Sequence, residues 1–264
     1  MKWSATFDDA RLLKRLISSI SAILNNANLR IEDKQIFLSG MDESRIAMAS
    51  LKAPNSFFQE YEFEPSEEED HVVGVNIEKL KDVLNRASSE DAITLGVDDK
   101  AGNKLKIKFF RGLPEESQFE RVFSIPLPEK GEELNPEGLN YTTRVEFAPP
   151  ENLSAIISDA AVFAEDLRIE THQENKTIRF IAESGIGSEY EYTAHLDEEE
   201  AIISYEIDEN SKSIYSLEFL EDFTKVDRVS EIVQLEFSED NPLRLTYNIS
   251  GGSTVTFLLA PRVV

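Results

Sequence analysis

The sequence predicts an α+β fold built from two copies of one domain, each an antiparallel sheet covered by two helices. Three observations predict it. Apolar residues recur at a near-constant offset: Phe7 and Phe147, Leu80 and Leu220, Ile93 and Val233, Leu95 and Leu235, and Leu105 and Leu245 each lie 140 positions apart. Segments such as KLKIKF and RLTYNI alternate with period two, the pattern of strands with one buried face. Each half also holds two stretches with apolar residues every three to four positions, as helices packed on a sheet require. The tetrapeptide LRIE occurs twice, at Leu29–Glu32 and Leu167–Glu170, with an offset of 138. Both copies run from a strand through a polar turn into a second strand ending in Glu-Ser.

The elements repeat in the same order. A short strand opens each half, SATF ending at Phe7 and RVEF ending at Phe147. A helix follows, predicted over Asp8–Leu24 and Pro150–Ala164; Asp8-Asp9 and Pro149-Pro150 suit helix N-termini. Alternating strands come next, such as Gln35–Leu38 and Ile46–Leu51. A second helix is predicted over Asn76–Ala87 and over Ser216–Val229. Two strands close each half around a turn-forming stretch, DDKAGNK (Asp98–Lys104) or SEDNP (Ser238–Pro242). Between the halves, Ser124–Thr143 carries three prolines, two glycines and no sustained period, which predicts an exposed connector. The predicted domains are therefore 1–123 and 144–264, joined by 124–143. The acidic runs Ser66–Asp70 and Asp197–Glu200 read as solvated turns.

At 264 residues and 41% hydrophobic content the chain has material for real cores. No apolar run is long enough to cross a membrane as a helix, and the start MKWSATFDDAR lacks a signal-peptide core, predicting an intracellular protein. There is no cysteine, which excludes disulfides, thiolate zinc sites and cysteine nucleophiles. The net charge of -24, from 51 acidic against 27 basic residues, taken alone argues against an anionic partner.

The distribution of charge argues the other way. In the first helix, Leu12, Leu13, Leu16, Ile17, Ile20, Ile23 and Leu24 share one face, and Arg11, Lys14, Arg15 and Ser18 share the opposite one. In the second helix Ile77, Leu80, Val83 and Leu84 point inward, leaving Lys79, Lys81 and Arg86 outside. Side by side on a sheet, the two helices would form one basic patch able to hold phosphates in any base sequence. Acids elsewhere need not defeat it, because charges are screened over about 8 Å at physiological ionic strength. A solvated charged face is the plainer alternative.

No catalytic arrangement stands out. His71, His172 and His195 are far apart and lack metal-ligand spacing, and there is no phosphate-binding G-x-x-x-x-G-K-[ST] loop or G-x-S-x-G elbow. GIGSEY (Gly185–Tyr190) opens no helix and reads as a turn. The expectation is a protein without catalytic residues, metal or cofactor; a carbohydrate- or nucleotide-processing enzyme using surface carboxylates is the alternative from another class.

Four segments carry a resemblance: SGMDESRIAMASL (Ser39–Leu51), VNIEKLKDVLNRASSEDAITL (Val75–Leu95), EFSEDNPLRLTYNI (Glu236–Ile249) and FLLAPRVV (Phe257–Val264). They resemble the sliding clamps of archaea and eukaryotes, the proliferating cell nuclear antigen family, in register along the whole chain. The resemblance implies a clamp-ring fold in which three two-domain chains close head to tail, with helices lining the hole and sheets forming the outer wall. It implies a processivity factor that encircles double-stranded DNA without reading its sequence. Such a ring tethers DNA polymerase, flap endonuclease and ligase through short peptide motifs and is opened by a clamp loader. The location implied is the archaeal cytoplasm, near the nucleoid, or a eukaryotic nucleus. The DNA-facing candidates are then Arg11, Lys14, Arg15, Lys79, Lys81 and Arg86, joined by Lys225 and Arg228. An apolar-aromatic plug of a partner would meet Met41, Ile46, Met48, Leu134, Pro136, Pro242, Leu258, Ala260 and Pro261.

One departure from the family pattern matters. The helix ENLSAIISDAAVFAED has no basic residue, and SLEFLEDFTKVDR sets Glu218, Glu221 and Asp222 beside Lys225 and Arg228. The two halves would contact DNA unequally. A homotrimer, a specialised subunit of a heterotrimer and a checkpoint-type clamp all remain open at this stage.

Overall fold

The computed structural model describes the chain except for residues 67–69, 99–101, 113–118, 133–137, 240 and 263–264. The chain forms two compact units, one of residues 1–43, 49–134 and 250–254, the other of 44–48, 135–249 and 255–264.

In the first unit the order is β1 (Lys2–Phe7), α1 (Ala10–Ile20), β2 (Asn26–Ile31), β3 (Gln35–Met41), β4 (Ala47–Pro54), β5 (Glu60–Glu64), β6 (Val72–Asn76), α2 (Ile77–Leu84), β7 (Ala92–Asp98), β8 (Lys104–Phe110) and β9 (Glu120–Pro126). Its strands hydrogen-bond in the orders β5-β1-β7-β8-β9 and β4-β3-β2-β6. The second unit repeats this with β10 (Thr143–Phe147), α3 (Glu151–Ala161), β11 (Asp166–His172), β12 (Thr177–Glu183), β13 (Glu189–His195), β14 (Ile202–Ile207), β15 (Ser211–Ser216), α4 (Leu217–Phe223), β16 (Ser230–Phe237), β17 (Leu243–Ile249) and β18 (Ser253–Leu259). Its orders are β14-β10-β16-β17-β18 and β13-β12-β11-β15. The connections match strand for strand.

Register corrects one detail of the repeat. Asn26 faces Asn76 on β6, and Asp166 faces Ser216 on β15, where each outer strand passes into a helix. The first helical N–H groups bond back to the corresponding carbonyls, Ile77 to Asn25 and Leu217 to Glu165, both at 2.9 Å. The structural offset is therefore 140 here too, and Leu29 corresponds to Ile169, not to Leu167. The LRIE match marks the same strand but sits two residues out of register. A shift of two keeps every side chain on its own face: Ala27, Leu29 and Ile31 are buried, as are Leu167, Ile169 and Thr171. The β11–β12 hairpin absorbs the difference, since Thr171 pairs with Ile178 where Ile31 pairs with Ile36.

The helices are shorter than predicted. Asp9 is the N-cap of α1, its carboxylate accepting the Arg11 N–H at 2.8 Å. Asn76 caps α2 by accepting the Lys79 N–H at 2.7 Å. The predicted fourth helix is α4 followed by a 3₁₀ turn over Thr224–Val229. The α1 stripe of Leu13, Leu16, Ile17 and Ile20 is buried, whereas Leu12 is only half-buried. Leu153, Ile156, Ile157 and Ala160 form the matching stripe of α3. Each fully buried Leu or Ile contributes roughly 1.5–3 kcal/mol. Ser124–Pro126, assigned to the connector from sequence, are the end of β9. That strand is held at its start by the buried Asp91, which accepts from Arg121 at 2.7 Å, from Arg111 at 3.4 Å and from the Ser88 N–H at 2.9 Å. Burial pushes this carboxyl up, but Ser88 and the two arginines outweigh it and hold it below its ordinary range.

The Asp227 carboxyl lies under α3 in the second unit, 6% exposed, with one oxygen lacking a hydrogen-bond partner among the described residues. Burial, reinforced by nearby Glu151 and opposed by Ser154 and Tyr247, pushes it up to about 6. A carboxyl raised on folding binds more protons folded than unfolded, so it lowers stability as pH rises from about 4 through 6. The cost of ionising it in place is on the order of 2–3 kcal/mol. Asp227→Asn is therefore expected to raise the thermal midpoint at pH 8 by several degrees, with the gain vanishing near pH 4. Thermal unfolding across that range checks it; a pH-independent difference would refute the buried-charge account.

Candidate nucleic-acid interface and partner surface

α1 and α2 pack against each other in the first unit, as α3 and α4 do in the second. Because each helix turns its apolar stripe to the strands, its outer face is the one left for charge. Arg11, Arg15, Lys79 and Arg86 are exposed, and Lys14 and Lys81 are half-buried. Five of the six sit on the two packed helices, and Arg86 lies just past the C-terminus of α2. The predicted patch is thus assembled within one unit.

Its members are not equal. The Arg11 guanidinium donates to both carboxylate oxygens of Asp9, each at 3.0 Å. Those bonds hold the Asp9 carboxyl below its usual range and raise Arg11. The capping residue thus offsets the charge of the first cation. Lys14, Arg15, Lys79, Lys81 and Arg86 make no ion pair with a described residue.

The second unit presents the opposite sign. Segments 10–20 and 77–86 carry six cations against two carboxylates; segments 151–161 and 217–229 carry two cations against six carboxylates. Lys225 and Arg228 are exposed on the 3₁₀ turn, and Lys225 is ion-paired with Asp222.

The expected partner-binding residues divide by exposure. Met41 in the first unit is 39% exposed, and Ile46 in the second is 36% exposed. Pro242, Leu258, Ala260 and Pro261 are half-buried. The Ala260 N–H donates to the Ile46 carbonyl at 2.9 Å, which brings those two candidates together. Met48 is 5% exposed, less open than expected; β4 is buried continuously from Ala47 to Leu51, and Met48 lies on the face of Ser50 and Lys52, opposite the core-facing Leu51 and Ala53. Leu134 and Pro136 lie outside the described residues.

The sequence reading missed exposed apolar residues on or beside one outer strand in each unit. Val122 of β9 is 54% exposed, and Phe119 just before it is 39% exposed. Beside β13, Val162, Phe163 and Ile186 are 78%, 38% and 92% exposed, and Phe163 stacks on Tyr190 at 6.2 Å. The signal was an apolar residue at an outward position of an alternating strand, as Val122 is in ERVFSIP. GIGSEY is the β12–β13 turn, with Gly187 at φ 87°.

Among the described residues no cluster of three potential ligands could hold a metal ion. His71 packs edge-on against Phe63, while His172 is a half-buried and His195 an exposed strand residue. Among them too, no helix is long and apolar enough to cross a membrane.

The chain is 30% identical over 264 residues to the DNA polymerase sliding clamp of Thermococcus gammatolerans, covering 100% of this chain and 99% of that protein. It is 29% identical over 263 residues to DNA polymerase sliding clamp 1 of Pyrobaculum aerophilum, covering 98% and 97%. A crystal structure of the proliferating cell nuclear antigen of Thermococcus kodakaraensis superposes with a TM-score of 0.83 at 22% identity, covering 98% of this chain and 100% of that one. The family model of the N-terminal domain of proliferating cell nuclear antigen matches residues 2–119 and that of its C-terminal domain matches 137–262, so the chain belongs to the proliferating cell nuclear antigen family.

Proposed function

We infer that the protein is a DNA sliding clamp: a ring-forming, non-catalytic processivity factor that encircles duplex DNA and tethers DNA polymerase to it. The observation that carries this is the segregation of cations onto the outer faces of α1 and α2 in a chain of net charge -24. Backbone contact without base readout suits a protein that must slide. Family membership and the clamp names of its relatives support the same role. Product length of a polymerase on primed circular DNA tests it; an assembled ring that gave no increase would refute it.

DNA contact falls mainly to the first unit. Lys14→Glu with Arg15→Glu is expected to weaken DNA association and to reduce the salt slope by about two, since each phosphate contact contributes roughly 0.9. Arg11→Ala is expected to do much less, because Asp9 already offsets that charge. Binding titrations at several salt concentrations check both, and equal effects at Arg11 and Arg15 would remove Asp9 from the account.

Ring closure would join β9 of one chain to β13 of another. Both are outer strands, and pairing them would cover Val122 and Ile186. The chain alone is then expected to give a species of three times 29.9 kDa, and Val122→Glu to give monomers; light scattering reads both. The surplus of carboxylates on α3 and α4 favours a second reading, a subunit that closes only with sister chains of different charge. A lone chain that stays monomeric would select it.

The proposed peptide surface includes Ile46 and Met41 as apolar contacts, with flap endonuclease, ligase and the clamp loader as candidate partners. Ile46→Ala is expected to weaken an apolar-aromatic peptide several-fold with an unchanged melting midpoint. Met48→Ala is expected instead to cost stability, about 2–5 kcal/mol for a buried methionine. Calorimetric peptide titration and thermal unfolding separate the two.

A further inference from the structure

We propose that Asn28 is a positioning residue for partner peptides: it fixes the path of the segment Leu127–Glu132 along the outer edge of β6, and Asp166 does the same, more weakly, for the C-terminal segment at Arg262. The proposal rests on the peptide-docking role given above.

In each unit, the chain leaving the last strand turns onto the outer strand of the four-stranded set. In the first unit this segment follows β9. Asn103 and Leu127 exchange hydrogen bonds, the Leu127 N–H donating at 3.2 Å and the Asn103 amide donating back at 3.3 Å. At Gly74 of β6 the segment comes so close that a Cβ would stand 2.6 Å from the Pro128 carbonyl oxygen and 2.8 Å from that of Glu129. Only glycine allows that approach.

Asn28, on the neighbouring strand β2 and 7% exposed, then grips the backbone. Its Nδ2 donates to the carbonyls of Gly131 at 3.0 Å and Glu132 at 3.2 Å, and its Oδ1 accepts the Gly131 N–H at 2.8 Å. A short primary amide is the side chain that can both donate twice and accept at this reach. An aspartate would lose both donors and set its charge against two carbonyl oxygens. The clamp ends at Glu132, two positions before Leu134 and four before Pro136 in the sequence.

The second unit does this differently. Ile214 stands 140 positions after Gly74, and its carbonyl accepts the Arg262 N–H at 2.7 Å. The Arg262 guanidinium donates to Asp166 at 3.1 Å, with the two side chains 49% and 46% exposed. Ala260 and Pro261 of the proposed docking surface directly precede this anchor. An exposed ion pair is weak and screened by salt, whereas a buried amide clamp is neutral and salt-insensitive.

Neither Asn28 nor Asp166 need touch the peptide. Each lowers the ordering cost of binding by holding backbone that the peptide meets. The test uses the full chain, a synthetic peptide with an apolar-aromatic plug followed by calorimetry, and amide exchange at Gly131. Asn28→Ala and Asn28→Asp are each expected to weaken the peptide about tenfold and to speed Gly131 exchange. Gly74→Ala, which displaces the same segment while leaving Asn28 itself unchanged, is expected to do likewise and stands in if the Asn28 variants fold poorly. Asp166→Ala is expected to weaken binding about threefold at low salt and not at high salt. Faster exchange with unchanged affinity would overturn the positioning role, and unchanged exchange would overturn the clamp. If the wild-type protein bound no such peptide, the docking role itself would fall while the exchange data still reported on the clamp.

Discussion

Each unit depends on covering one face of its strands with two helices. A half-apolar sheet cannot leave that face in water, so α1 commits Leu13, Leu16, Ile17 and Ile20 to it and α3 commits Leu153, Ile156, Ile157 and Ala160. At about 100° per residue, that commitment fixes which positions are left outside. The outer face can then change composition without disturbing the core. Here it has: the inner stripes match at an offset of 140, while the outer face of α1 holds Arg11, Lys14 and Arg15 and that of α3 holds no cation. The core records the duplication, and the surface records what the two copies now do.

Sheets also have edges, and an uncovered edge invites pairing. The two units close some of theirs and leave others. β6 is covered by Pro128 and Glu129, and β15 is met by Arg262. β5 turns out Glu60, Glu62 and Glu64, charges that discourage another strand. β9 and β13 instead have exposed Val122, Val162 and Ile186 nearby. The outer strand β14 also exposes an apolar residue, Ile203 at 50%, so the closed edges narrow the choice of partner strand without fixing it. The segments that close β6 and β15 also run into residues of the proposed peptide surface, so edge protection and partner docking draw on the same stretches of chain.

Much of this was legible in the sequence because period and burial are linked. Alternation identified the sheets, and helical stripes identified α1 to α4 and the cationic faces of α1 and α2. What was not legible depended on register or on a nearby side chain. LRIE drew attention to the right strands, yet it is displaced by two, and alternation cannot detect an even shift. Met48 resembled an exposed contact by its place in SGMDESRIAMASL, but it is buried even though it lies on the face of β4 opposite Leu51 and Ala53. Arg11 counted as a full positive charge until the cap placed Asp9 against it. The end of β9 was taken for connector because Pro126 and the prolines that follow it read together as a linker; the ladder with β8 and the Arg121–Asp91 pair hold it as a strand. The clamp by Asn28 left no trace, since one asparagine in a strand carries no pattern.

The unequal helix faces constrain how a ring of this chain would hold DNA. Counterion release follows the cations that reach phosphates, and screening over about 8 Å keeps each helix pair acting locally. In a head-to-tail trimer of identical chains, attractive arcs from α1 and α2 would alternate with repulsive arcs from α3 and α4. A duplex would then be drawn toward three surfaces and kept from the other three, instead of floating in a uniform field. Lys225 adds little to the repulsive arcs because Asp222 already holds it. The charge missing from the second unit is therefore not made up elsewhere on its helices, and any more even grip on DNA would have to come from different chains in the same ring.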